Sequence, residues 1–133
     1  MPQTSAACPP TFLTLLRAAY GLALAAIFWL AVQPAPDIVV LFSWQDKVEH
    51  ALLFCALAVS GLAAWRSRPA AIVVGLMLYG AAMEVAQSFT AFRVGDPWDW
   101  LADAIGVLAA LPLLRLLPQR WLTGARHSSG ADA

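Results

Sequence analysis

The sequence predicts an all-α fold, a bundle of four transmembrane helices, and three observations carry that reading. Of 133 residues, 61% are hydrophobic and only 12% are charged, about half the charged share of ordinary soluble domains. A soluble domain this small has too much surface for its volume to hide that many apolar side chains. The apolar residues also fall into four runs, and about 20 such residues in a helix cross the roughly 30 Å of a bilayer's hydrocarbon. The second run, Ala51 to Trp65, is short for a span, which sets Lys47, Glu49 and His50 at or just below the surface. Finally, most acidic residues collect near the run ends that four alternating spans bring to one side. The formal net charge is zero, so no basic field points to nucleic acid.

Residues 1–10 are a polar amino tail ending in Pro9-Pro10. From Thr11 to Val32 the chain is apolar apart from Arg17, whose head can reach the interface from near the start of the run. A cleavable signal peptide is the competing reading, with Arg17 as its basic residue and cleavage near Ala31 or Ala35. Cleavage after Ala35 would leave Pro36 at the new terminus, and no other positive side chain precedes Arg17. Pro34-Ala35-Pro36-Asp37 ends the run. Ile38 to Phe42 is too short to span and is expected at the interface.

Ser43-Trp44-Gln45-Asp46 predicts the start of a second helix, with Ser43 as its cap. This helix is expected to reach about Trp65. Arg66-Ser67-Arg68-Pro69 is a basic turn, followed by a third helix over about Ala70 to Phe89. The loop Thr90 to Gly95 carries Arg93. Asp96-Pro97 supplies a cap and a first-turn proline for the fourth helix, which runs to about Leu117, with Pro112 expected to bend it. The membrane domain is thus 11–118, and 119–133 is a polar carboxyl tail. Cys8 lies in the polar tail and Cys55 in an apolar run, so neither a disulfide nor a Cys-x-x-Cys metal site is expected.

Basic residues orient the bundle. The amino tail, the turn at Arg66 and Arg68, and the carboxyl tail with Arg120 and Arg126 share one side. Arg17 and Arg115 flank it. The opposite loops hold Lys47 and Arg93 among Asp37, Asp46, Asp96 and Asp99. The positive-inside rule places both termini in the cytoplasm. The outer helix ends then carry one polar layer: Asp46, Lys47, Glu49, His50, Glu84, Gln87, Arg93, Asp96, Asp99 and Asp103.

Each constellation in this layer has two readings. Asp46 and His50, four apart, share a helix face; His50 is either a proton-transfer group or an interfacial residue beside a capping Asp46. Gly80, Glu84 and Gln87 share a face of the third helix. There, Glu84 either contacts a ligand or, with Gln87, forms a polar clamp between helices. A carboxylate below the interface needs a cation or an acceptor for its proton, with His50, Arg93, Asp99 and Asp103 as the candidates. Asp99, Asp103, Gly106 and Ala110 form a stripe whose small residues allow close helix approach.

Asp46-Lys47-x-x-His50, Glu84-x-x-Gln87, then Arg93, Asp99, Asp103 and Gly106 in order resemble the VanZ-like family of small bacterial integral membrane proteins. The resemblance covers about residues 44–110. Asp103 stands where the family often has Asn, and Ala110 where it often has Gly. The resemblance implies a multi-pass protein of the bacterial plasma membrane. The family takes its name from a protein linked to glycopeptide susceptibility.

Two function classes follow. One is an envelope protein that binds a lipid headgroup or other amphiphile through Asp46, Lys47, His50, Glu84, Gln87, Arg93, Asp99 and Asp103, with the lipid bilayer as its partner. The other is a membrane enzyme using Glu84 or His50 as acid–base on a lipid-linked substrate. A transporter fits less well, since four spans show no broken-helix pair. Nothing resembles a nucleophile elbow, a phosphate-binding glycine loop or a H-E-x-x-H site, so no cofactor is expected. One His among carboxylates, without a second His, is a weak metal signal, and no metal is expected.

Overall fold

A computed structural model describes residues 10–34, 42–91, 93 and 95–116. They form four helices: α1 (Pro10–Ala31), α2 (Gln45–Ala64), α3 (Pro69–Ser88) and α4 (Pro97–Leu116). Phe12–Ala31, Gln45–Ala64 and Pro69–Ser88 are each long and apolar enough to cross a membrane. The readings placed on Cys8, Asp37, most of Ile38 to Phe42, Arg120 and Arg126 lie outside the described residues.

The helices alternate in direction, and side-chain contacts fix the order. Arg17 near the start of α1 donates from Nε and Nη2 to the Ala64 carbonyl at the end of α2, at 3.2 and 3.1 Å. Further along α1, the Tyr79 hydroxyl donates to the Leu24 carbonyl at 2.7 Å, and the Gln87 amide donates to the Ala31 carbonyl at 3.1 Å. Positions in α1 and α3 therefore rise together, whereas α1 and α2 run opposite ways. Arg17 also lies over the Trp65 ring, 5.3 Å from its centre. A guanidinium at a helix carboxyl end meets both orphan carbonyls and the negative end of the helix dipole.

The core is small and central: Tyr20, Phe54, Leu57, Ala58, Leu76, Met83, Val107 and Ala110. Around it, large apolar side chains point outward on every helix, among them Leu22 and Trp29 on α1, Leu52 on α2, Leu78 on α3 and Leu108 on α4. A continuous apolar exterior suits hydrocarbon and not water. Four tryptophans, Trp29, Trp44, Trp98 and Trp100, sit toward the end where α2 and α4 begin, and Trp65 sits at the other.

The closest helix pair is α2 with α4, which run parallel. Gly106 is buried, and a Cβ added there would strike the Ala51 carbonyl of α2. Only the absence of a side chain lets the two backbones meet. Ala110, one turn on, is fully buried in the core.

Two helix starts differ in how they are capped. Asp96 behaves as expected: its Oδ1 accepts from the Trp98 N–H at 2.9 Å, and its carbonyl accepts from Asp99 N–H at 2.9 Å. Ser43 does not. Trp44 occupies the cap position of α2 with no side-chain cap. A turn closed by Gln45 N–H on the Phe42 carbonyl, at 3.2 Å, leads into the helix instead. The Phe42 and Trp44 rings pack at 4.7 Å across that turn. Helix α4 continues through Pro112.

This packing makes a direct prediction. Gly106→Ala should already destabilise the bundle, by about 1–3 kcal/mol as for other overpacked cores, and Gly106→Leu should abolish folded, monodisperse protein in detergent. Leu101→Ala, on an exposed face, should leave it unchanged. Equal tolerance at both positions in size-exclusion and thermal-unfolding measurements would show that the α2–α4 contact is not tight.

Candidate functional site

Three helix ends and one loop converge where α2 and α4 begin and α3 ends. The parallel α2–α4 pair sets a register. Lys47 meets Asp99, His50 meets Asp103, and Ala51 meets Gly106, each step moving inward along both helices. Lys47 Nζ lies 3.0 Å from Asp99 Oδ1, 2.9 Å from Asp96 Oδ2 and 3.3 Å from Asp46 Oδ2. One turn deeper, His50 Nδ1 lies 2.9 Å from Asp103 Oδ1. Asp103 is fully buried, and Glu84 is 8% exposed.

Asp96 stands in the loop ahead of α4. Its carboxyl is held below the ordinary aspartate range, first by the Trp98 N–H and then by the Lys47 ammonium. A lowered folded value means that its contribution is complete above the ordinary aspartate value and is lost as pH falls through the depressed one.

Glu84 finds a partner that charge counting does not suggest. Its Oε2 accepts from the backbone N–H of Asp96 at 2.8 Å, so Glu84 ties the end of α3 to the entry of α4. Gly95 makes the approach possible, because a Cβ there would collide with the Ser88 hydroxyl and the Glu84 carbonyl. His50, Glu84 and Asp103 each bring a side-chain donor atom within 4.8 Å of the other two. Glu84 Oε1 and Asp103 Oδ2 are buried with no hydrogen-bond partner among the described residues.

Beside this cluster is an open-sided pocket of about 370 Å³, between α1, α2 and α3. Ile27, Leu30 and Ala31 line it from α1, Glu49, His50 and Leu53 from α2, Met83 and Gln87 from α3, and Arg93 from the loop. The lining is mixed: α1 contributes only apolar side chains, α2 and α3 contribute both kinds, and the loop contributes Arg93. Arg93 Nε is buried and unpartnered among the described residues.

The sequence-predicted residues therefore fall into two connected groups. Lys47, Asp96, Asp99 and Asp46 form a surface ion cluster. His50, Glu84 and Asp103 form a buried one, with Gln87 and Arg93 across the cavity. Asp46 is exposed and bonds Lys47, not His50. Arg93 forms no ion pair with Glu84 among the described residues; the Asp96 N–H takes that place. Reasoning from polar residues alone missed the aliphatic wall of Ile27, Leu30, Leu53 and Met83, which is visible only once α1 is placed against α2 and α3.

No family model, curated protein or solved structure matches this chain.

The Glu84 contact separates two substitutions. Glu84→Gln keeps an oxygen to accept from Asp96 N–H and should leave the unfolding midpoint in detergent nearly unchanged. Glu84→Leu strands that N–H and should cost about 1–3 kcal/mol. Equal midpoints for the two variants would remove the α3–α4 tie from the account.

Proposed function

We propose that the chain is a four-span protein of the bacterial plasma membrane, with both termini cytoplasmic, that holds the headgroup of a lipid or other amphiphile in the cavity between α1, α2 and α3. The observation that carries this reading is the mixed apolar and polar lining of that pocket. Aliphatic side chains from α1, α2 and α3 suit an acyl or other apolar segment. Gln87, His50 and the guanidinium of Arg93, whose Nε has no partner among the described residues, suit a polar, anionic head. Its size falls in the range of small-molecule sites, about 300–1,000 Å³. The apolar exterior supports a bilayer setting. In this reading α4 spans alongside α2, because their contact continues inward through Gly106 to Ala110. The VanZ-like resemblance of residues 44–110 supports the same location and, by resemblance alone, a link to glycopeptide susceptibility.

A second reading is supported by one contact. Asp103 Oδ1 holds His50 Nδ1, which orients an imidazole bordering the cavity as in an acid–base pair. His50 would then be the base on a lipid-linked substrate, with Glu84 beside it.

Incubating the purified chain with labelled bacterial lipid extract separates the two. Retention of an anionic lipid without chemical change is expected, and Arg93→Gln should lower retention about tenfold, the worth of one charge-assisted hydrogen bond. Turnover that is lost in His50→Gln would favour the enzyme. Retention indifferent to Arg93→Gln, with no turnover, would exclude both. For topology, reporter fusions after Ser67 and after Gly95 should report the cytoplasmic and the outer side, respectively; the same side for both would break the four-span arrangement.

A further inference from the structure

We propose that His50, Glu84 and Asp103 form a binding site for a divalent transition-metal ion, Zn²⁺ by preference. The site shares His50 with the amphiphile cavity but does not rest on that reading. Three helices supply one residue each, α2, α3 and α4, and the three donor atoms lie within 4.8 Å of one another. Two further observations point to a cation. Asp103 is fully buried and Glu84 92% so, yet Asp103 Oδ2 and Glu84 Oε1 have no hydrogen-bond partner among the described residues. Moreover, Asp103 Oδ2 lies where α3 has Gly80, at a position only 2.7 Å from where a Cβ would stand. A missing side chain makes room for this carboxylate one helical turn from Glu84.

Buried carboxylate oxygens without partners are costly unless a charge satisfies them. The nearby cationic groups leave these two oxygens free. His50 reaches only Oδ1 of Asp103, Lys47 is held by Asp46, Asp96 and Asp99, and Arg93 pairs with none of the described carboxylates. One divalent ion would satisfy both free oxygens together.

The donor set selects the ion. One imidazole nitrogen with two carboxylate oxygens is too nitrogen-rich for Ca²⁺ or Mg²⁺, which take oxygen shells, and fits Zn²⁺ or Mn²⁺. With ligand bonds of about 2.0–2.2 Å, three donors already within 4.8 Å need only small side-chain movements to close on one centre. Three protein ligands leave a coordination position open to water or to an anion. The imidazole nitrogen must shed its proton to ligate, so ion and proton compete.

The test uses the full chain, purified in detergent with a tag free of histidine, stripped with EDTA and dialysed against Zn²⁺ or Mn²⁺. Mass-spectrometric metal counting should find about one Zn²⁺ per chain, bound more tightly than Mn²⁺ as the general affinity order of divalent ions requires. Asp103→Asn and Glu84→Gln should each weaken binding about tenfold or more, at least what the loss of an outer-shell partner costs a metal site. Ser60→Ala, on the exposed face of α2 away from the triad, should leave binding unchanged. Should Asp103→Asn fail to fold, X-ray absorption of the Zn²⁺-loaded unaltered chain decides the matter. A shell of one imidazole with oxygen donors is expected. Binding below stoichiometry, binding indifferent to the triad, or a shell containing sulfur or two imidazoles would overturn the proposal.

Discussion

The contact between the Ala51 backbone and Gly106 sets everything above it. Two parallel helices that touch at the backbone cannot slide or rotate without a collision, because the meeting atoms are backbone and cannot turn aside. Their register is therefore fixed, and with it the pairing of residues nearer the helix starts. His50 reaches Asp103 and Lys47 reaches Asp99 because Ala51 and Gly106 are already in contact. An extra methyl at Gly106 would widen the gap on which those hydrogen bonds depend. The packing of two small residues and the geometry of the polar layer are one constraint seen at two depths.

That constraint also explains how so apolar a chain carries buried acids. A charge below the interface is tolerated only when its surroundings take over the role of water. Here an ammonium serves Asp96 and Asp99 nearer the surface, while an imidazole serves one oxygen of Asp103 and a peptide N–H one oxygen of Glu84. The last is the most economical, since a backbone donor is available wherever a helix begins and adds no charge of its own. The first N–H groups of α4 lack partners within the helix and turn to Asp96, while the chain just ahead of them is turned so that Glu84 meets Asp96 N–H.

The helices were legible because each depends on local pattern. Long apolar runs, the Asp96-Pro97 start and the basic turn before Pro69 identify themselves within a few residues. The gathering of polar residues at one end of the bundle was legible too, since alternation of direction follows from the number of runs. Specific partners were not. Glu84 pairs with a peptide N–H, Gln87 with the Ala31 carbonyl and Arg17 with the Ala64 carbonyl, and backbone groups are the same in every sequence. Ser43 misled for a related reason: its residue type permits a cap, but the Phe42–Trp44 ring contact and the turn into Gln45 use that stretch differently. The cavity had no local signal, because its walls come from three helices with no shared motif.

The placement of the tryptophans has an optical consequence. Among the described residues, four of the five indoles stand toward the polar end of the bundle and one, Trp65, at the other. Intrinsic emission from this part of the chain is thus weighted to the neighbourhood of the cavity and the carboxylates. Trp29 lies on α1 between Phe28 and Leu30, close to the cavity wall in sequence, and Trp98 donates its backbone N–H to Asp96. A quencher confined to one leaflet would therefore darken the two ends of this protein unequally, giving the molecule a built-in marker of which way up it sits.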